Sequence, residues 1–153
     1  MREYLFRGKR LDNGEWVEGS LLTCTRINKG KVYICPETNV CEVNMEDEGK
    51  IIDVGLNFGC WYEVDPETVG QFTGGVEFSL EGAEERKIFD GDIVQVLSGY
   101  GGKGVFLVVW NYESAGWYWK HLRGTRMFYG NEAFGMKILG NRWDNPELLE
   151  GTS

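Results

Sequence analysis

Cations and metal-binding side chains are what this chain has least of. It carries 16 Lys and Arg against 24 Asp and Glu, a formal net charge of −8, and one histidine, His121. The average field repels a polyanion, so a nucleic-acid partner is disfavoured unless a local basic patch exists. A lone histidine excludes His-rich metal sets. Cys24, Cys35, Cys41 and Cys60 form no Cys-x2-Cys pair, so no metal site is expected. No run approaches the ~20 apolar residues of a membrane span. The opening Met1-Arg2-Glu3-Tyr4 lacks the apolar stretch of a signal peptide. The expectation is a cytoplasmic protein with no membrane association, its thiols reduced and packed as small hydrophobes. Prolines number only 3, and no repeat or low-complexity segment stands out. No window of about 11 residues or more keeps a 3.6-residue period, which excludes long amphipathic helices.

Glycine and aromatic residues are what the chain has instead: 22 Gly, 6 Trp and an aromatic share of 14% within a hydrophobic share of 42%. The composition is that of a folded protein, and so many glycines suit the tight turns of short-stranded β architecture. At this length one core would bury roughly two-thirds of the unfolded surface. Strand-like runs at 4–11 and 15–22 flank Asp12-Asn13-Gly14, whose Asn-Gly pair is a strong hairpin signal. Trp16 is expected to pack across that hairpin on Leu11 or Tyr4. Further strands are expected at 31–35, 40–45, 51–54, 60–64 and 69–73, with Asp65 capping a turn that Pro66 begins. An acidic loop over 79–86 leads to Ile88-Phe89 and 93–96. The run 104–110 is apolar throughout, so both its faces should be covered. Strands at 117–119, 127–129 and 136–140 follow, and a last helical turn has Asn145 as its cap and Pro146 at its first position.

Candidate chemistry is sparse. His121 has no nucleophile or orienting carboxylate at a motif spacing, and reads as a surface histidine on a basic loop. Asp90 and Asp92 flank Gly91 and could bind a cation or act as an acid–base pair, but turn chemistry explains them more simply. Glu63, Asp65 and Glu67 alternate as on a strand, yet Pro66 interrupts it, leaving a solvated acidic edge. Gly99-Tyr100-Gly101-Gly102-Lys103-Gly104 would cradle a phosphate only ahead of a helix. A strand follows, so it is a hairpin, and no cofactor is expected. The sharper candidate is the aromatic-basic run 117–129, with Trp117, Trp119, Lys120, Arg123, Arg126 and Tyr129 as candidate binding residues. Rings interleaved with cations describe three things: core rings beside solvated cations, a protein interface, or a single-strand groove.

Four blocks in order carry a resemblance across essentially the whole chain. They are Arg2-Glu3-Tyr4-Leu5-Phe6-Arg7-Gly8-Lys9-Arg10 with Gly14-Glu15-Trp16-Val17-Glu18-Gly19; residues 62–74, from Tyr62-Glu63-Val64-Asp65-Pro66-Glu67-Thr68; Lys87-Ile88-Phe89-Asp90-Gly91-Asp92-Ile93-Val94; and Ile138-Leu139-Gly140-Asn141 with Asn145-Pro146-Glu147-Leu148-Leu149. Together they resemble the YopX family of phage and prophage proteins. The chain departs from that family's pattern between Gly74 and Lys87, where a longer acidic stretch replaces a short Lys- and Gly-rich turn. Gly91-Asp92-Ile93-Val94 with Lys103-Gly104 is also similar to KOW-type SH3-like domains, which bind RNA or protein.

The resemblance implies a mainly β fold, an SH3-like small barrel with an N-terminal β-meander-like part, in a bacterial host's cytoplasm. It implies no activity and transfers no catalytic residue. The expected division is an N-terminal β subdomain at 1–60, the SH3-like barrel at 61–143, and a tail at 144–153 with a short helical turn. The expected function is a non-enzymatic binding or assembly module with a protein partner or homo-oligomer. The alternative is a nucleic-acid-associated protein using 117–129.

Overall fold

The structure is a computed structural model that describes residues 4–25, 29–36, 44–46, 50–53, 61–78, 85–99, 103–124, 127–129 and 133–150. At 44–46, 50–53, 98–99, 127–129 and 133–134 it describes the backbone alone. The chain is mainly β and antiparallel, in two compact units, Tyr4–Val69 and Gly70–Ser153. Among the described residues no helix is long and apolar enough to cross a membrane.

In the N-terminal unit, β1 (Phe6–Lys9), β2 (Trp16–Thr23) and β3 (Val32–Cys35) form a meander, and β6 (Tyr62–Val64) joins the far side of β3. Between β3 and β6 lies a separate hairpin of β4 (Asn44–Glu46) and β5 (Lys50–Asp53). The β1–β2 turn forms where the Asn-Gly pair predicts it. It is a four-residue loop closed by Arg10 N–H to Glu15 O and Gly14 N–H to Arg10 O, each at 2.9 Å. Trp16 departs from expectation. It pairs with Lys9, and the cations of Arg7 and Lys9 lie 4.8 and 5.5 Å from its ring centre, while Leu11 and Tyr4 stay exposed. A ring on the wet face of a hairpin is covered by long cationic stems more readily than by a residue in the turn.

Asp65 caps the 3-10 turn Pro66–Thr68 as expected, its Oδ1 accepting the Glu67 N–H at 3.0 Å. The turn is tied to β1, because Asp65 N–H donates to Lys9 O and Lys9 N–H donates to the Thr68 hydroxyl. These bonds group 61–69 with the N-terminal strands. The unit's core is Val17, Ile34 and Val64, with Phe6, Leu21, Val32, Tyr62 and Val69 packed against it. Its rim is ionic. Arg10 lies flat on Tyr62, 3.8 Å from the ring centre, and grips Asp12. That hydrogen bond holds the Asp12 carboxyl below the usual carboxylate range. The Lys31 ammonium donates to Glu63 at 2.9 Å, which raises its pKa.

The C-terminal unit begins with β7 (Gly70–Val76) paired to β8 (Lys87–Phe89). A register shift between Phe72 and Val76 is filled by the Thr73 hydroxyl, which donates to Ile88 O and accepts from Gly75 N–H. A five-stranded sheet follows, in the order β12 (Met127–Tyr129), β11 (Gly116–His121), β10 (Gly104–Asn111), β9 (Asp92–Gly99), β13 (Ala133–Asn141). Between β8 and β9 the Asp90-Gly91 corner behaves as turn chemistry. Gly91 sits at φ 83°, and a Cβ there would collide with the Trp143 ring. The buried Asp92 carboxylate accepts the Phe89 N–H at 2.8 Å.

The closed small barrel expected over 61–143 is not formed; the sheet runs open from β12 to β13. Beyond β13 the described residues supply two bonds and no paired strand. On its outer edge Met136 O accepts the Phe78 N–H at 2.7 Å, and Ile138 N–H donates to the Glu77 carboxylate at 3.0 Å. A side chain stands where a neighbouring strand's carbonyl would continue a ladder. The core is Ile88, Val94, Val96, Phe106, Val108, Trp119, Met136 and Ile138. Burying each such side chain is worth ~1.5–3 kcal/mol.

The closing turn Pro146–Leu148 forms, but Asn145 does not cap it. Its carboxamide turns back to accept the Asn141 N–H at 3.3 Å and donates to Glu147 at 3.2 Å. Of the cysteines, Cys24 is half-buried and Cys35 buried, neither in a disulfide; Cys41 and Cys60 lie outside the described residues. So do most of the acidic loop 79–86 and the Gly-rich turn at 100–102.

Candidate functional site

Strand alternation sorts the aromatic-basic run into two faces. Trp119 is 3% exposed, and its indole N–H points to Met136 Sδ at 3.1 Å within the core. Trp117, two residues earlier and on the same face, is half-buried against that core. It meets Trp110 edge-to-face across the β10–β11 pair, with centroids 5.0 Å apart. Its Nε1 is buried with no hydrogen-bond partner. Lys120 is exposed on the opposite face, and Arg123 is exposed on the turn after β11. Tyr129 pairs through its backbone with Tyr118, its side chain lying outside the description, as all of Arg126 does. The structure thus brings Lys120 and Arg123 to the surface and takes Trp117 and Trp119 inward.

The same alternation acts on β10. Phe106 and Val108 are fully buried, whereas Val105, Leu107 and Val109 are only half-buried, so the run 104–110 is covered on one face rather than two. The registers place Val105, Gln95 and Lys137 in one cross-strand row, Leu107 beside Lys120 in a second, and Val109 beside Tyr118 in a third. Leu97 and Leu139 on the flanking strands are 42% and 39% exposed. Across all five strands the one acidic residue is Asp92, which is buried; Lys120 and Lys137 are exposed. This outward face, apolar with cations set into it, is what reading the sequence missed. Its signal is the set Val105, Leu107 and Val109, hidden inside a run that reads as uniformly apolar.

Where β10 begins and β11 ends lies an open dent of about 270 Å³, lined among the described residues by Gly104, Val105, His121 and Arg123. His121 is not on a loop. It closes β11 opposite Phe106, its ring edge-on to that phenyl at 4.8 Å. Its Nδ1 accepts the Arg123 N–H at 2.9 Å, so the neutral ring carries its proton on Nε2. Nε2 faces Gly104 so closely that a Cβ there would stand 2.6 Å from it. Only glycine lets the ring lie in this position.

The arrangement offers hydrogen-bond donors and apolar surface. Asp92, a candidate acid or base, is spent on the β8–β9 corner. Among the described residues no three His, Cys, Asp or Glu side chains gather to hold a metal ion.

No curated protein and no solved structure matches the chain. Residues 5–150, nearly its full length, match the family described as YopX protein, and the chain belongs to the YopX family.

Proposed function

We propose that this phage- or prophage-encoded protein is a non-enzymatic binding module of the bacterial cytoplasm. It engages a protein partner, a second copy included, through the outward face of the five-stranded sheet. The observation that carries this reading is the half-open β10 row of Val105, Leu107 and Val109, flanked by exposed Leu97 and Leu139. An exposed, contiguous apolar patch rimmed by polar residues marks an interaction site. Light scattering at roughly tens of micromolar tests self-association, and affinity capture from phage-infected host lysate tests hetero-association. Association lost in Leu97→Glu and Leu139→Glu, with circular dichroism unchanged, is the expected result. A monomer that retains no partner sinks the reading.

Nucleic-acid association is the second reading. It is favoured by the exposed Lys120 and Arg123, and weakened because Trp119, its best stacking ring, is in the core. It predicts binding that falls steeply with salt and is lost when Arg123 and Arg126 become Glu. Absence of oligonucleotide binding at about 50 mM salt ends it.

A further inference from the structure

We infer that the outward face of the five-stranded sheet receives an amphipathic helix from another protein. The helix lies along β9 and β10 on its apolar stripe, and its acidic flanks meet Lys120 on one side and Lys137 on the other. The inference rests on the protein-binding reading above and adds the shape and charge of the partner. β11 and β13 carry the two lysines, with β10 and β9 between them. Lys120 pairs with Leu107 on β10, and Lys137 pairs with Gln95 on β9, which pairs in turn with Val105. Three strand intervals thus separate the lysines, about 14 Å at the usual spacing. An α-helix with its side chains is about 10–12 Å across, so one fits between them with a cation along each flank.

The strip between the lysines is open. Val105 and Leu107 are half-buried, and Leu97 and Leu139 are exposed. Ile93, beside Leu107 on β9, is already covered, so on that strand the open stretch runs from Ile93 to Leu97. Its length is about 14 Å, between two and three turns of helix. A sheet apolar on both faces needs a second layer on each. This chain has no helix to give: its sequence keeps no 3.6-residue period, and the helical turns among the described residues are two 3-10 turns, Pro66–Thr68 and Pro146–Leu148. The helix therefore comes from another protein. Charge sets its composition. Lys120 and Lys137 are exposed, and the sole acid across the five strands is the buried Asp92, in a chain of net −8. A face that reverses the overall charge calls for carboxylates on its partner, placed on both sides of an i, i+3, i+4, i+7 apolar stripe.

The test titrates the full-length protein with a fluorescein-labelled synthetic peptide of about 18 residues, with a leucine stripe at helical spacing and glutamates on both flanks. One control carries Gln for Glu. A second reorders the same residues so that Leu and Glu alternate, which suits an extended strand. Amide NMR shifts locate the binding, and circular dichroism reads the helix. The expected result is saturable binding of the helical Glu peptide with a gain in helicity. Shifts fall at Gln95, Leu97, Val105, Leu107, Lys120 and Lys137, and both controls bind at least tenfold more weakly. Lys120→Gln and Lys137→Gln each weaken the helical Glu peptide about threefold, as loss of an exposed ion pair does, and leave the Gln peptide unaffected. No saturable binding, shifts confined elsewhere, or either control binding as tightly overturns the proposal. So does an oligonucleotide that displaces the peptide from these amides. If no peptide binds while copies self-associate and Leu97→Glu abolishes that association, the protein-binding face stands and the helix falls. If the helical peptide binds Leu97→Glu and Leu139→Glu as tightly as the unaltered protein, the face itself falls.

Discussion

Val17, Ile34 and Val64 anchor the N-terminal unit from within, and much of what surrounds them is rim: Arg10 stacked on Tyr62, Arg7 and Lys9 over Trp16, Lys31 on Glu63. The C-terminal unit reverses the balance, with a buried cluster running from Ile88 through Phe106 and Trp119 to Ile138. Removing apolar surface from water is worth far more per residue than an exposed ion pair. The C-terminal unit should therefore carry most of the stability and be indifferent to salt. The N-terminal unit should respond to both salt and pH. The candidate site fits this division, because a face can be left half-open only where the other side of the same sheet is well packed.

The comparison breaks most sharply at Phe106, which is fully buried. Phe106→Ala should cost ~3–5 kcal/mol in urea unfolding and remove amide-exchange protection throughout the C-terminal unit. A loss below about 1 kcal/mol would mean that the cluster does not govern the unit. Next is Glu77→Ala, which leaves the Ile138 N–H without its acceptor and should cost ~1–3 kcal/mol; Glu77→Gln, keeping an acceptor, should cost visibly less. In the N-terminal unit Asp65→Ala removes a cap and should cost ~1 kcal/mol, read as faster exchange at Glu67.

The smallest effect is the pH response. The Asp12 carboxyl is depressed in the fold, so its contribution is present above its unfolded pKa and is lost as pH falls through the folded value, below ~pH 4. Lys31 is raised, so its contribution is complete below its unfolded pKa, ~10.4, and is lost as pH rises beyond it. Exchange protection in the N-terminal unit should weaken at both extremes, and high salt should flatten the response. An equal response from the C-terminal unit would erase the contrast.

Local chemistry was readable from sequence wherever one residue and its neighbours decide the outcome. The Asn13-Gly14 hairpin, the Asp65-Pro66 cap and the Asp90-Gly91 corner need only turn and capping physics. Long-range choices were not readable. Nothing near Asn145 announces that its carboxamide will prefer Asn141 to its own turn. The alternation of Val105, Leu107 and Val109 with buried Phe106 and Val108 is masked because both sets are apolar, so only the register reveals which side is wet. The composition of the aromatic-basic run could not show what the strand's pleat does, placing Trp119 inside and Lys120 outside. Whether the sheet closes was equally hidden, because it turns on what meets the edge of β13, and the contact there joins Glu77 to Ile138 across 61 residues of sequence.

Under the proposed self-association, that same carboxylate limits how copies of this protein would meet. An uncovered strand edge templates the next strand, and growth by that route has no natural stopping point. At Ile138 the position a newcomer would need is held by an anion, which an incoming backbone could displace only by leaving Glu77 without its bond. Polymerisation from the β13 side is thereby discouraged, which leaves the proposed contact to the flat of the sheet. Assemblies built face to face close on themselves, so a protein with this much exposed β surface can form finite complexes rather than fibres.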